Sequence, residues 1–135
     1  MAQFLRFELL TNNAATGQPD GLFVGAYGIV GAGPSTHSAY YVKSIRRLLD
    51  WFRDNLKRPS RFNASKSKGW RSREHTAGIA WFKPDAMEHI AKMREMALAM
   101  RECGVEFRER TTDRPGKIVY EDEIQIIAEP YHRET

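Results

Sequence analysis

Hydrophobic positions recur along this chain with two periods, and those periods predict its elements. The most regular stretch is 117–130, where Ile118, Tyr120, Ile124, Ile126 and Ala128 share one parity and Val119, Glu121, Glu123, Gln125 and Glu129 fall mostly polar on the other. A two-residue period of this kind predicts a strand with one covered face and one open, acidic face. Asp122 interrupts the apolar row, so the alternative is a turn at 121–123 that divides the segment into two strands. Residues 3–11 alternate Phe4, Arg6 and Glu8 with Leu5, Phe7 and Leu9, a half-buried strand that stops at Asn12 and Asn13 and the turn-rich 16–21. In 75–83 both parities are apolar, with Ala77, Ile79 and Trp81 on one and Gly78, Ala80 and Phe82 on the other, as in a central strand. Residues 105–111 alternate again, and the Asp113-Arg114-Pro115-Gly116 turn is expected to return them as a hairpin into 117–130.

The helical period appears three times. In 35–56, Tyr41, Ile45, Leu48, Leu49, Phe52 and Leu56 form one stripe, with Ser35, Thr36 or Ser38 as candidate caps. In 84–104, Ala86, Ile90, Met93, Ala97 and Met100 form another, with Pro84 placed as first helical residue and Gly104 as the stop. The methionines Met87, Met93, Met96 and Met100 read as core packing rather than as an adaptable groove. Residues 21–33 fit either period, and the short helix is chosen, with Asp20 as candidate N-cap and Gly31 or Gly33 as stop. The order strand, short helix, helix, strand, helix, strand, strand defines an α+β fold. It is a mostly antiparallel sheet of about four strands with two or three helices packed on one face. Its strand-helix-strand halves could mimic a ferredoxin-like arrangement.

At 135 residues and 41% hydrophobic, residues 1–135 are expected to form a single globular domain. The sequence shows no secretory pattern and no apolar run long enough for a bilayer, so no membrane association and a cytoplasmic location are expected. Cys103 has no second thiol for a disulfide or a zinc site and reads as a buried small hydrophobe.

Charge changes the picture. Between positions 43 and 73 eleven basic residues stand against Asp50 and Asp54, a local charge of +9 in a chain whose total is +4, so the remainder carries −5. Much of that charge lies in 57–74, which has no hydrophobic period and reads as a long basic surface loop. There Arg58, Arg61, Lys66, Lys68, Arg71 and Arg73 are interleaved with Phe62 and Trp70, a mixture that neutralises phosphates and stacks bases. Arg58, Arg61, Lys66, Lys68, Trp70, Arg71 and Arg73 are therefore the candidate anion-binding set, with nucleic acid or an acidic protein as partner. A solvated loop anchored by its two aromatic rings is the bland alternative. A dipolar chain also suits pairing with a second copy, a homodimer.

The acidic side supplies a second candidate. Glu121 and Glu123, two residues apart on one face, with Lys83 at a strand end, could form the cleft of a small enzyme, although lysine beside carboxylates is also an ordinary salt bridge. His75, at the start of the central strand, joins Lys83, Glu121 and Glu123 as a catalytic candidate. His37, His75, His89 and His132 have no metal-ligand spacing and read as surface or capping residues, so no metal is expected. The glycines at 25, 28, 31 and 33 match no nucleotide-binding fingerprint, and no cofactor is expected.

Trp81-Phe82-Lys83, the helix ending in Cys103-Gly104-Val105, and Arg114-Pro115-Gly116-Lys117-Ile118-Val119-Tyr120-Glu121-Asp122-Glu123-Ile124-Gln125 together resemble a group of small bacterial single-domain proteins of uncharacterised function. The resemblance covers roughly the C-terminal half, with a weaker echo in Asp50-Trp51-Phe52. It implies a bacterial single-domain protein and a short helix at 21–33, and no chemistry. The function expected from the residues is a non-enzymatic binding or regulatory module that engages an anionic partner through 57–74. The small enzyme is the alternative.

Overall fold

The computed structural model of the chain describes residues 3–12, 19–33, 37–57 and 78–130. Their elements are β1 (Phe4–Asn12), β2 (Pro19–Gly21), α1 (Leu22–Ala32), α2 (Ala39–Asn55), β3 (Ile79–Phe82), α3 (Met87–Glu102), β4 (Phe107–Thr112), β5 (Lys117–Glu121) and β6 (Gln125–Glu129). The α+β class is as expected. The sheet has six strands rather than about four, because β2 is an additional short strand and 117–130 is two strands rather than one.

Every pairing among the described strands is antiparallel, and β1 organises the sheet. Along one edge it pairs with β4 from Phe4↔Thr112 to Leu9↔Phe107. Its other edge is shared, with Leu5 opposite Phe82 of β3 and Glu8 and Asn12 opposite Gly21 and Pro19 of β2. Beyond β3 come β6, with Trp81↔Ile126, and then β5, with Ile118↔Ala128. The hairpin expected from β4 into β5 does not form. β4 pairs with β1, and β5 pairs with β6 at the far end of the strand order.

That topology curls the sheet. The five residue steps from Thr112 to Lys117 span at most about 18 Å, whereas the four strand spacings between β4 and β5 would separate them by about 19 Å in a flat sheet, before any offset along the strands. The two edges must therefore bend toward each other, on the side away from the helices. Gly116 allows the final step, with φ 125°, where a side chain would run into the Glu129 carbonyl.

Alternation along the strands then makes two cores. Leu5, Phe7 and Leu9 of β1 and Phe82 of β3 face the helices and pack with Leu22, Ala26 and Ile29 of α1, Ile45 and Phe52 of α2, and Met93, Met96 and Met100 of α3. All three helices thus cover one face. On the curled face Ile79, Trp81, Ile126 and Ala128 form a smaller cluster with Phe4 against it. Gln125, Ile126, Ile127 and Ala128 are all buried, so β6 has no open face, contrary to the expectation for 117–130.

The division of that segment has a local cause. The Asp122 carboxylate accepts hydrogen bonds from the Ile124 and Gln125 N–H groups, at 2.8 and 2.9 Å, and from the Tyr120 hydroxyl at 2.8 Å. An aspartate satisfied by the two N–H groups that follow it makes a turn, and β5 doubles back as β6.

The helices follow their stripes with small corrections. α2 buries Val42, Ile45, Leu48, Leu49 and Phe52, and α1 ends at Gly33, with φ 78°. Gly21 rather than Asp20 is the N-cap of α1, and Lys83 to Ala86 form a turn, so α3 starts at Met87 rather than Pro84. Met93, Met96 and Met100 are core residues, while Met87 is exposed. His89 is buried rather than superficial. Its Nε2 donates to the carbonyl of Asn55, the last residue of α2, at 2.8 Å, and so caps that helix. Among the described residues no helix is long and apolar enough to cross a membrane.

Candidate functional site

The break in the edge of β1, where β2 ends and β3 begins, is filled by one side chain. Arg6 donates from Nη2 to the Pro19 carbonyl of β2 and from Nη1 to the Ala80 carbonyl of β3, each at 3.1 Å. Its Nε donates to Glu8 Oε2 at 3.0 Å. Glu8, fully buried, also accepts from Arg110 Nη1 on Oε2 and from Arg108 Nε on Oε1, each at 3.1 Å, and Arg108 Nη2 stands in ion-pair contact with Oε1 at 3.1 Å. Two hydrogen bonds on one oxygen, and one with an ion-pair contact on the other, satisfy the carboxylate. The β1–β4 register produces this cluster by placing Arg6 opposite Arg110 and Glu8 opposite Arg108. Arg110 also lies over the Trp81 ring, 5.4 Å from its centroid.

Arg6 forms part of the wall of a cavity of about 210 Å³ between the sheet and the helices. Phe7, Phe82 and Ile127 line it from the sheet, Leu22, Phe23 and Tyr27 from α1, and Leu49, Phe52 and Leu56 from α2 and its end. An engineered apolar cavity of about 150 Å³ accepts benzene, so this space accepts a ring with a short chain. The charged residues of its lining are Arg6, Arg53 and Lys57, and no Asp or Glu is among the described lining residues. The first turn of α1 adds the same sign. It has no side-chain cap and no acidic residue, and Gly21 and Leu22 line the cavity.

Gln125 closes one side, donating from Nε2 to the Lys57 carbonyl at 2.7 Å and so tying β6 to the end of α2. Burial pushes the Arg6 pKa down while Glu8 draws it back up, and the guanidinium stays charged throughout. Trp81, 3% exposed, also touches this space, but its ring packs with Ile79, Ile126 and Ala128 on the other face of the sheet, where its Nε1 has no hydrogen-bond partner among the described residues. A second, more open hollow of about 430 Å³ lies between α2 and α3. It is lined by Tyr40, Tyr41 and Leu98 and by charges of both signs, including the Arg47–Glu95 pair at 3.5 Å.

The residues predicted from the sequence are distributed differently. Arg58, Arg61, Lys66, Lys68, Trp70, Arg71, Arg73 and His75 lie outside the described residues. The chain leaves the described part after Lys57 and re-enters at Gly78, and both Lys57 and Ala80 line the cavity. Lys83 and Glu121 do meet, as an ion pair of 2.6 Å with Glu121 half exposed. Glu123 does not join them. It is exposed in the β5–β6 turn with no ion pair or hydrogen bond among the described residues, and neither cavity is lined by Lys83, Glu121 or Glu123. Gln125, expected on the same open face, is buried and lines the cavity between the sheet and the helices.

Burial, with Glu102 adding to it, raises the pKa of the Cys103 thiol, so this thiol is not activated as a nucleophile. Among the described residues no group of three or more His, Cys, Asp or Glu side chains could hold a metal ion. Sequence reasoning missed Arg6 and Trp81, whose only signal was their place in two alternating strands. In comparison with known proteins, no family model, no curated protein and no solved structure matches the chain.

Proposed function

We propose that this chain is a non-enzymatic binding module whose ligand is a small organic anion with an apolar body, held in the cavity between the sheet and α1 and α2. One observation carries the reading: a 210 Å³ space with apolar and aromatic walls whose charged lining, among the described residues, is entirely cationic. Apolar walls supply affinity by removing the ligand's body from water, and a few polar groups supply orientation. Cations without neighbouring carboxylates in the lining favour an anion over its neutral or cationic analogue. This reading keeps an anion as the ligand but puts a small organic one in the cavity in place of the nucleic acid or acidic protein expected at 57–74.

The alternative enzyme built on Lys83, Glu121 and Glu123 has no comparable support. Lys83 and Glu121 neutralise each other, and Glu123 stands apart from them.

The test is titration of the full chain with 3-phenylpropionate, n-propylbenzene and 3-phenylpropylamine, followed by calorimetry and by the shift in melting temperature. The carboxylate is expected to bind about tenfold or more tightly than the hydrocarbon, and the amine less well than either. Filling the cavity by Leu49→Trp is expected to abolish binding of the carboxylate and the hydrocarbon together. Equal binding of the carboxylate and the amine would refute the reading.

A further inference from the structure

We infer that the apolar body of the ligand carries a neutral hydrogen-bond donor, a hydroxyl or an N–H, received in the cavity by the side-chain oxygen of Gln125. The inference rests on the binding reading above and adds a second chemical feature of the ligand and the residue that selects it.

The register puts Gln125 on the cavity side of the sheet. It stands opposite Phe82 in the β3–β6 pair, and Phe82 faces the helices together with Leu5 and Phe7. Ile127 lines the same cavity, while Ile126, between the two, packs in the small cluster on the curled face. The side chains at 125 and 127 therefore share the helix face. Gln125 is 4% exposed there, in a strand that continues with Ile126, Ile127 and Ala128, and an amide so placed costs stability unless both of its ends find partners.

One end is satisfied, and it fixes the other. Nε2 donates to the Lys57 carbonyl at 2.7 Å and lies 3.5 Å from Asp122 Oδ2. A carbonyl and an ionised carboxylate only accept, so turning the amide over would set oxygen against two oxygens. The chemistry of these neighbours thus leaves Oε1 as the free end. Among the described residues nothing donates to it. Among them Trp81 Nε1 is the one fully enclosed side-chain N or O atom that lacks a partner, so Oε1 keeps open surface, and on a residue this deeply buried that surface faces the cavity it lines.

The rest of the polar lining has the opposite sense. Arg6, Arg53 and Lys57 donate and cannot accept, which suits the anionic end of the ligand. Tyr27 is 45% exposed, and its hydroxyl is within reach of water. Gln125 Oε1 is thus the buried side-chain acceptor of the described lining. An apolar group placed against it would strip it of water and return nothing, whereas a hydroxyl or N–H restores the bond. The three cations disfavour an ammonium, so the donor is neutral. The bond to Lys57 also holds the acceptor in place before the ligand arrives.

The experiment compares the ortho, meta and para hydroxy, amino and fluoro derivatives of 3-phenylpropionate at neutral pH, by calorimetry, on the wild-type chain and on Gln125→Met. Fluorine is close to a hydroxyl in size and cannot donate, and an aromatic amine is uncharged at neutral pH. At one ring position the donor is expected to bind about tenfold more tightly than the fluoro derivative, and the hydroxy and amino arms tell O–H from N–H. Gln125→Met keeps the length of the side chain and removes the acceptor together with the bond to Lys57. It is expected to melt lower than wild type, to bind the fluoro derivative within about threefold of wild type, and to lose the preference for the donor. If Gln125→Met does not fold, the carbon resonance of Gln125 Cδ in the wild-type chain decides. It is expected to move further with the preferred donor than with its fluoro counterpart, and equal shifts overturn the inference.

A donor preference that survives Gln125→Met, or the lack of one at every ring position, also overturns it. The binding reading then stands as long as 3-phenylpropionate binds more tightly than n-propylbenzene. If those two bind equally to the wild-type chain, the anion reading itself falls.

Discussion

Replacing Glu8 by Gln removes one negative charge from the centre of three guanidinium groups and keeps the shape of the side chain. Glu8 accepts three hydrogen bonds of 3.0 to 3.1 Å and has a fourth, ion-pair contact with Arg108 Nη2 at 3.1 Å, so that each oxygen makes two contacts. A glutamine offers one oxygen and one amino group, so either orientation turns two of the four contacts into donor against donor. Hydrogen bonds to charged groups contribute about 1.5–3 kcal/mol each, which puts the upper end of the loss at about 6 kcal/mol. Arg108 and Arg110 are 54% and 44% exposed and regain water when released, so the amide will turn its nitrogen toward Arg108. Arg6, nearly buried, loses its counter-charge in both orientations. A loss of about 3 kcal/mol follows, or about 10 °C in melting temperature for a domain of this size.

Urea denaturation at neutral pH measures it, with Arg108→Ala as a control expected to cost under about 1.5 kcal/mol. The loss is expected to shrink between about 0.05 and about 1 M salt, as repulsion among the three arginines is screened. A loss below about 1 kcal/mol, or one indifferent to salt, would show that Glu8 is not the counter-ion that holds Arg6 at the break between β2 and β3.

Other perturbations test separate parts of the structure. Burial pushes the Asp122 pKa up, but the hydrogen bonds from Ile124, Gln125 and Tyr120 outweigh it and hold the carboxyl below its ordinary value of 3.8. The stability it contributes is therefore complete above that value and is lost as pH falls through the lower folded one. The stability gap between wild type and Asp122→Asn should be full at neutral pH and close as pH falls through the lowered folded value, and a gap constant with pH would contradict this. Gly116→Ala is expected to cost about 3 kcal/mol or more, because φ 125° is strained for alanine and its Cβ would stand 2.7 Å from the Glu129 carbonyl carbon; denaturant midpoints decide it. Glu121→Gln should change stability by less than about 1 kcal/mol, since its pair with Lys83 is half exposed, and a double-mutant cycle with Lys83→Met measures the pair alone.

The sequence by itself determined the elements that are made by near neighbours. α2 was legible because Ile45, Leu48, Leu49 and Phe52 recur at the period of a structure whose hydrogen bonds join residues four apart. The strand β1 was legible for the same reason at the period of two, β3 from apolar residues on both parities, and the glycine-rich α1 was the better of two open choices. Even the turn that splits 117–130 had its signal in Asp122, a residue that makes its own turn with the two residues after it.

Partner choice was not legible, because alternation says which face a strand buries and nothing about which strand lies beside it. The short turn at 113–116 favoured a β4–β5 hairpin, and the tertiary structure instead pairs β4 with β1 and curls the sheet to make the connection. The Glu8 cluster depends on that pairing, since Arg108 and Arg110 lie a hundred residues from the carboxylate they share. The cavity was further still from reach. It is space left where α1, α2 and the sheet fail to meet, and a linear pattern of apolar residues specifies what packs together and not where packing stops.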